Sequence, residues 1–499
     1  MFFLQGNLFL LIPVLLPVIA GIFSMRLTEQ DKNLERAKRN AVNMATLIVT
    51  AVAVIAITFL PSEKASMTVF RLTSDLSVVL HIDGISRLFS ILISVMWAVV
   101  GCFSFEYMKH EHDEGRFYCF YMISLGALLG LSMSGNLVTM YMFYEMMTLG
   151  SLPLVLHEKT KQSIAAGIKY LLYSVFGASC GLMGIFIIGI YNPTLAFSAG
   201  GALDAVKVAG KEPLLLTVMF IMILGFGVKA GMFPFHGWLP TAHPVAPAPA
   251  SAVLSGVITK AGVLCIIRVV FYTFGADFLR GTWAHYAWMI LALITVFMGS
   301  MLALRENILK KRLAYSTVSQ VSYILFGLST LNPVGMLGAL MHVVFHSVIK
   351  NGLFLSAGAI INRTGKTRVE QLNGIGKQMP IVIWCYTLVS CALIGIPPTC
   401  GFISKWFLAE GALSMSIAAN WVGPCVLLVS AVLTAGYLLP ITIRGFFPGA
   451  DFNYGTLVRA EPNWLMTLPL ILLAAAAVLM GMFPGPLSGF LQTIVDAVL

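Results

Sequence analysis

Long apolar runs separated by short polar stretches fill the chain from end to end. A helix needs about 20 apolar residues to cross the hydrocarbon of a bilayer, and the pattern predicts about fourteen such spans. They fall near residues 2–24, 43–60, 86–108, 117–133, 136–156, 163–191, 214–240, 250–274, 284–304, 312–330, 334–361, 380–413, 421–445 and 464–485. Most connections are short and leave no room for an appended soluble domain. Between the second and third spans, Thr68–Leu88 alternates weakly (Val69, Arg71; Leu76, Val78, Leu80, Ile82) and holds Asp83–Gly84. That segment predicts a short external hairpin. The chain reads as an all-α polytopic membrane protein.

Two spans carry interruptions. Span 7, Leu214–Pro240, is broken at Gly231–Met232–Phe233–Pro234 and runs into the proline-rich Thr241–Ala250. Span 12, Pro380–Leu413, is broken at Ile396–Pro397–Pro398–Thr399–Cys400–Gly401. Pro234, Pro397 and Pro398 remove backbone donors and free carbonyls, which is tolerated at membrane depth only where protein or water lines the gap. The breaks lie five spans apart, which predicts two five-helix units, residues 117–274 (spans 4–8) and 284–446 (spans 9–13). The units start on opposite sides of the membrane and would therefore be inverted, a recurring plan in transporters. Residues 1–116 carry spans 1–3 and the hairpin, and 447–499 carry span 14. The halves show no residue-by-residue match, so the repeat rests on topology and break positions.

Composition agrees. Of 499 residues 58% are hydrophobic and 10% charged, with a mean hydropathy of +0.89, against about 25% charged in soluble domains. The net charge of +10 does not point to nucleic acid, because the basic residues concentrate in alternate loops. Arg26, Lys32, Arg36, Lys38 and Arg39 follow span 1, Lys109 and Arg116 span 3, and Lys159 and Lys161 span 5. Arg305, Lys310, Lys311 and Arg312 follow span 9, and Arg363, Lys366, Arg368 and Lys377 span 11. The intervening loops hold few, among them Lys64, Arg71, Lys207, Lys211 and Arg280. By the positive-inside rule both termini face outward. Met1–Met25 lacks a basic leading region and reads as a retained first span. The 8 cysteines lie mainly within spans and form no Cys-x-x-Cys, so they read as buried small hydrophobes rather than disulfides or cluster ligands.

Charge inside the spans carries the chemistry. Glu145, Lys229, Lys260, Lys350 and Lys405 lie within apolar runs. A charge at bilayer centre costs several kcal/mol, persists only against partners or water, and usually marks an ion path. Glu145 and Lys229 at ~6 Å would attract by about 3 kcal/mol at an effective dielectric near 20. A change in their separation would then move the lysine between holding and releasing a proton. His342, His346 and Lys350 share one helix face. No carboxylate or cysteine nearby supplies a third zinc ligand, so no metal is expected and a proton-relay stripe is the reading. Glu145, Lys229, Lys260, His346 and Lys405 come to similar depth on different helices, forming a row along the membrane plane. His236 and His243 follow the first break and are candidates for proton uptake from the cytoplasm, with helix capping or loop packing as the alternative. Arg363–Thr364–Gly365–Lys366–Thr367 lacks the leading glycine of a P-loop, since position 360 is Ile360.

The stretch Gly227–Val228–Lys229–Ala230–Gly231–Met232–Phe233–Pro234–Phe235–His236–Gly237–Trp238–Leu239–Pro240–Thr241–Ala242–His243 resembles the signature of antiporter-like subunits. These occur in respiratory complex I, Mrp sodium/proton antiporters and membrane-bound energy-converting hydrogenases. Met142–Phe143–Tyr144–Glu145, His346 with Lys350, Gly395–Ile396–Pro397–Pro398 through Lys405, and Ile82–Asp83–Gly84–Ile85–Ser86 also fit. The resemblance covers nearly the whole chain. It implies a hydrated polar axis with Glu145 and Lys229 as a coupling ion pair, Lys260 and His346 as a bridge, and Lys405 as the exit-side lysine. Some members carry glutamate at the Lys405 position. The implied function is a non-catalytic, proton-translocating subunit of a redox-driven complex in a prokaryotic energy-converting membrane, of hydrogenase or complex I type. Iron–sulfur clusters, with nickel–iron or flavin as further candidates, would sit on partner chains beside further antiporter-like or small membrane subunits. The alternative is an Mrp-type Na+/H+ antiporter subunit, and H+ against Na+ stays open. The length and plain C-terminus suit an Mrp D-type or a hydrogenase-type subunit.

Overall fold

The computed structural model describes residues 5–26, 32–61, 65–449, 452–453 and 458–499. Residues 2–4 of the first expected span, Lys64 and the Lys32 side chain lie outside this description. Among the described residues, 11 helices are long and apolar enough to cross a membrane. Two further runs, Leu137–Val155 and Leu309–Ser329, also fold as helices, and Pro380–Ile394 and Cys400–Leu413 are the two pieces of the second interrupted run. Helix starts follow capping chemistry. Asn136 accepts from Thr139 N and Asn332 from Gly335 N, each at 2.8 Å.

The expected hairpin is present as β2 (Ser66–Arg71) paired antiparallel with β3 (Ser77–His81), and Gln5–Gly6 adds β1 to β2. Asp83 then caps the Gly84–Tyr107 helix through Ser86 N at 2.8 Å. Its carboxylate also holds the buried Arg268 guanidinium in a two-pronged ion pair, at 2.5 and 2.9 Å.

Burial sorts the helices into a centre and a rim. The Ala248–Phe274 helix is wholly enclosed and Pro333–Thr364 nearly so, whereas Lys161–Tyr191 and Val422–Phe446 turn large apolar side chains such as Phe186 and Leu428 outward. An apolar exterior is what lipid solvates, and polar groups are confined to the centre. The central helix contains two π-helical turns, Leu254–Ile258 and Val270–Phe274. Both interrupted runs stop at a glycine in the left-handed region, Gly231 (φ 77°) and Gly395 (φ 96°). A Cβ on Gly231 would also collide with the Leu239 side chain. The first run resumes only as short helical pieces, His236–Trp238 and Leu239–Val245, and the second as the 14-residue helix Cys400–Leu413.

One expectation needs correction. Lys310 and Arg312 are not loop residues: the Leu309–Ser329 helix already contains them and both are buried. Arg312 spends its donors on the Glu306 and Tyr437 carbonyls, at 2.7 and 2.8 Å. Beyond the last apolar span the chain forms the Gly485–Asp496 helix, whose Leu491, Ile494 and Val495 are buried against Gly84–Tyr107 and Pro333–Thr364.

Candidate functional site

Lys229 sits one residue from the end of the Glu212–Ala230 helix and is wholly buried. Its ammonium donates to Thr148 Oγ1 (3.1 Å), Tyr170 Oη (2.9 Å) and Ser174 Oγ (2.9 Å). Three partners match its three donors. The Tyr170 ring lies 4.3 Å from Nζ, with Tyr144 and Trp238 further out. Tyr170 Oη continues the chain to Ser151 Oγ at 2.7 Å.

Lys260 follows the first π-helical turn. Its Nζ donates to the Ser255 carbonyl at 2.8 Å and meets His346 Nδ1 at 2.6 Å. A π-turn inside a helix shifts the backbone register and is frequent at functional sites. The His346 ring stacks on His342 (centroids 5.9 Å apart), and His342 Nδ1 is 2.9 Å from Ser404 Oγ. His342 also stacks on Tyr323, over whose ring the Lys405 Nζ lies at 5.0 Å. Lys260, His346, His342, Tyr323, Ser404 and Lys405 therefore form one contiguous polar chain across four helices. Lys350, one turn after His346 on the same helix, donates instead to Ser316 Oγ (2.6 Å) and the Leu313 carbonyl (3.2 Å), and Tyr437 Oη donates to the same serine at 2.8 Å.

Lys405 ends the chain at the second break. Its Nζ donates to the Leu393 and Ile394 carbonyls, at 2.6 and 2.9 Å. These are carbonyls at a helix end with no following turn to satisfy them. The neighbouring Trp464–Met482 helix abuts this break through Gly481, where a Cβ would collide with the Pro398 carbonyl.

The structure does not join every candidate. Glu145 is half-buried on a helix flank beside the exposed Met146 and Leu149, its carboxylate accepting from Tyr141 Oη at 3.4 Å. It makes no ion pair with Lys229 within 4.0 Å among the described residues; the ammonium donates instead to hydroxyls, one of them on Thr148, three residues further along Glu145's own helix. His236 is half-buried and stacks on Phe233, whereas His243 is wholly buried, stacks on Phe354 (4.8 Å) and finds no partner for either ring nitrogen. Pro234, Pro397 and Pro398 are exposed on the outside of their breaks. Among the described residues no group of three His, Cys, Asp or Glu side chains is placed to hold a metal.

Thr148, Tyr170, Ser174, Ser316, Tyr323, Ser404 and Tyr437 were not anticipated. A signal existed for the fourth and fifth: after its basic first turn, Leu309–Ser329 concentrates Ser316, Thr317, Ser319, Gln320 and Ser322, all buried, among apolar residues.

A family profile described as "NADH:quinone oxidoreductase/Mrp antiporter, TM" matches residues 134–434, which hold Glu145 and all four lysines. The chain belongs to this family. A second profile, "NADH-Ubiquinone oxidoreductase (complex I), chain 5 N-terminus", matches residues 71–118. The chain is 28% identical to the D-type Na(+)/H(+) antiporter subunit of Alkalihalophilus pseudofirmus over 99% of its own length and 97% of that protein. It is 31% identical to NADH-quinone oxidoreductase subunit N of Desulforudis audaxviator over 75% of each chain. To hydrogenase-4 component B of Escherichia coli it is 32% identical over 81% of its length and 62% of that protein. Its fold is shared with a chain of the Mrp complex from Dietzia sp. DQ12-45-1b (TM-score 0.83, 20% identity, 98% and 97% covered). The same holds for a chain of Thermus thermophilus respiratory complex I (TM-score 0.80, 21% identity, 98% and 100% covered). The protein is thus a multi-pass, antiporter-like membrane subunit of the kind found in complex I, hydrogenase and Mrp-type complexes.

Proposed function

We propose that this antiporter-like subunit passes protons from Lys229 to Lys260 and on along the buried chain through His346 and His342 to Lys405, as the ion-translocating arm of a redox-driven membrane complex. The observation that carries the reading is the 2.6 Å contact between Lys260 Nζ and His346 Nδ1, inside an enclosed stack that ends on Lys405. One hydrogen bond between two titratable nitrogens lets a proton change owner without either heavy atom moving. With the proton on Lys260, His346 Nδ1 accepts; with it on His346, the neutral amine accepts. The second ring nitrogens of His342 and His346 find no protein partner, and buried polar atoms of this kind call for water. Such water would complete the wire between groups that stack rather than hydrogen-bond. Lys350 tunes or feeds the chain through Ser316.

In the same reading fourteen spans cross the membrane with both termini outside, and spans 4–8 and 9–13 are inverted five-helix units whose broken members carry Lys229 and Lys405. Left-handed glycines at both breaks support it. Glu145, on an open flank, serves as the coupling carboxylate beside a neighbouring membrane subunit, and redox cofactors reside on partner chains. Purification through this chain followed by mass spectrometry and metal analysis tests the assignment. Iron, with or without nickel, and a redox partner are expected. A metal-free set of membrane proteins that exchanges Na+ for H+ in vesicles would instead establish an Mrp-type antiporter subunit. The near end-to-end match to a Na(+)/H(+) antiporter subunit favours that second reading.

A further inference from the structure

Lys310 is a buried cation that the axis does not use. It lies in the first turn of the Leu309–Ser329 helix, where a positive charge opposes the helix dipole, and it is only 7% exposed. Its ammonium donates to the Ala246 carbonyl at 2.8 Å and has no ion pair within 4.0 Å among the described residues. A buried charge so placed needs a reason beyond packing.

The surrounding groups supply one. The acids acting on Lys310 are Glu111 and Glu158, from the loops before Glu114–Ser132 and after Leu137–Val155. Glu158 is exposed and Glu111 half-buried; Glu111 hydrogen-bonds with Glu158 and Tyr107 and lies within reach of the Lys310 charge without touching it. Inward of Lys310, the cations acting on His243 are Lys350 and Lys310. His243 is fully buried, and neither ring nitrogen has a partner. Titratable groups therefore descend from an exposed carboxylate to the wholly buried Lys350, on the face where basic residues crowd the loops.

We propose that Glu111 and Glu158 form a proton-uptake port, which delivers protons through Lys310 and His243 to Lys350. The proposal rests on the proton-translocating reading above. Lys310 gives its proton to a free ring nitrogen of His243, water bridging where the two do not touch, and takes one back from the glutamate pair. The pair is refilled from bulk water, and His243 passes its proton to the neutral Lys350 amine. One proton leaves the bulk for each that reaches the axis. Burial and then the Glu158 charge push the Glu111 carboxyl up to about 7, against the pull of Lys310, so it exchanges protons near neutrality.

The test uses the intact complex in vesicles, driven by its own electron donor or an imposed sodium gradient. E111Q/E158Q is expected to slow proton uptake about tenfold and to flatten its fall with rising pH, while E111D keeps most of the rate. Independently, dicyclohexylcarbodiimide, which reacts with protonated carboxyls in apolar surroundings, should label Glu111 with a midpoint near pH 7. In E158Q, which lacks the repelling charge, that midpoint should move to lower pH. A wild-type rate and pH profile in E111Q/E158Q overturns the port. So does a Glu111 labelling midpoint in the ordinary carboxylate range, a readout available even if the double variant does not assemble. K405A distinguishes the two levels: if it alone transports normally, the axis reading falls instead.

Discussion

The two helix breaks solve one problem with different chemistry. At the first, the Gly231 and Met232 N–H groups close the helix end onto the Val228 and Gly227 carbonyls, at 3.1 and 2.9 Å, the Trp238 indole adds a second donor to Val228 at 2.8 Å, and Lys229 is left to three hydroxyls. At the second, the leftover carbonyls of Leu393 and Ile394 are taken by Lys405 itself. A hydroxyl donates as readily as it accepts, so the Lys229 cage can serve an ammonium or a neutral amine by rotating. A carbonyl only accepts, and bonds most strongly to a charged donor. The first break thus frees its lysine to exchange a proton, and the second ties its lysine to the backbone. In the proposed pathway the former suits a coupling group and the latter a gate whose protonation and local structure change together.

Lys229→Ala and Lys405→Ala should separate these roles most sharply. Each is expected to reduce coupled proton movement in vesicles to background. Lys405→Ala alone should also destabilise the protein by about 2 kcal/mol, because it orphans two carbonyls. Equal thermal stability of the two variants in the purified complex would remove the distinction. Arg268 supplies a paired buried cation for reference. Asp83→Asn leaves it without a counter-ion and is expected to cost about 3–5 kcal/mol in thermal unfolding. Burial raises the Asp83 carboxyl, but the charge and hydrogen bonds of Arg268, with those of Ser86, outweigh it and hold the group at about 2. The folded value lies below the unfolded one, so this contribution is complete above about pH 4 and lost as pH falls toward 2. Stability that is flat across that window would exclude the ion pair.

Trp238→Phe keeps an aromatic ring and deletes the indole donor, leaving Val228 with the Gly231 N–H, so a loss of about 1 kcal/mol with transport largely retained is expected. A complete loss of transport would mean that the indole belongs to the path and not merely to the cap. The smallest effect belongs to Ser174→Ala. It removes one of three hydroxyls from Lys229, at about 1 kcal/mol, and should slow transport a few-fold as read by vesicle acidification. No change in rate would show that two hydroxyls suffice.

The elements themselves could be read from the sequence because lipid imposes a simple demand. Runs of about 20 apolar residues must be helices, and a proline within them costs a backbone hydrogen bond; Gly231–Pro234 and Pro397–Pro398 interrupt their helices, whereas Gly150–Pro153 leaves its helix continuous. The charges that survive there, Lys229, Lys260, His346 and Lys405, are conspicuous against such a background. Periodicity also placed His342, His346 and Lys350 on one face. Partners were another matter. That Lys260 meets His346 depends on how the Ala248–Phe274 and Pro333–Thr364 helices pack and on a π-helical turn that no local pattern announces. That Lys229 turns to Thr148, Tyr170 and Ser174 rather than to Glu145, and that Lys310 and Arg312 are buried instead of lying in a loop, are facts of the same kind. Hydropathy is a property of each residue and its neighbours in the chain, so sequence determined which segments enter the membrane and which charges go with them. A hydrogen bond between residues 86 positions apart is a property of distance and angle, and only the packing of helices against one another decides it.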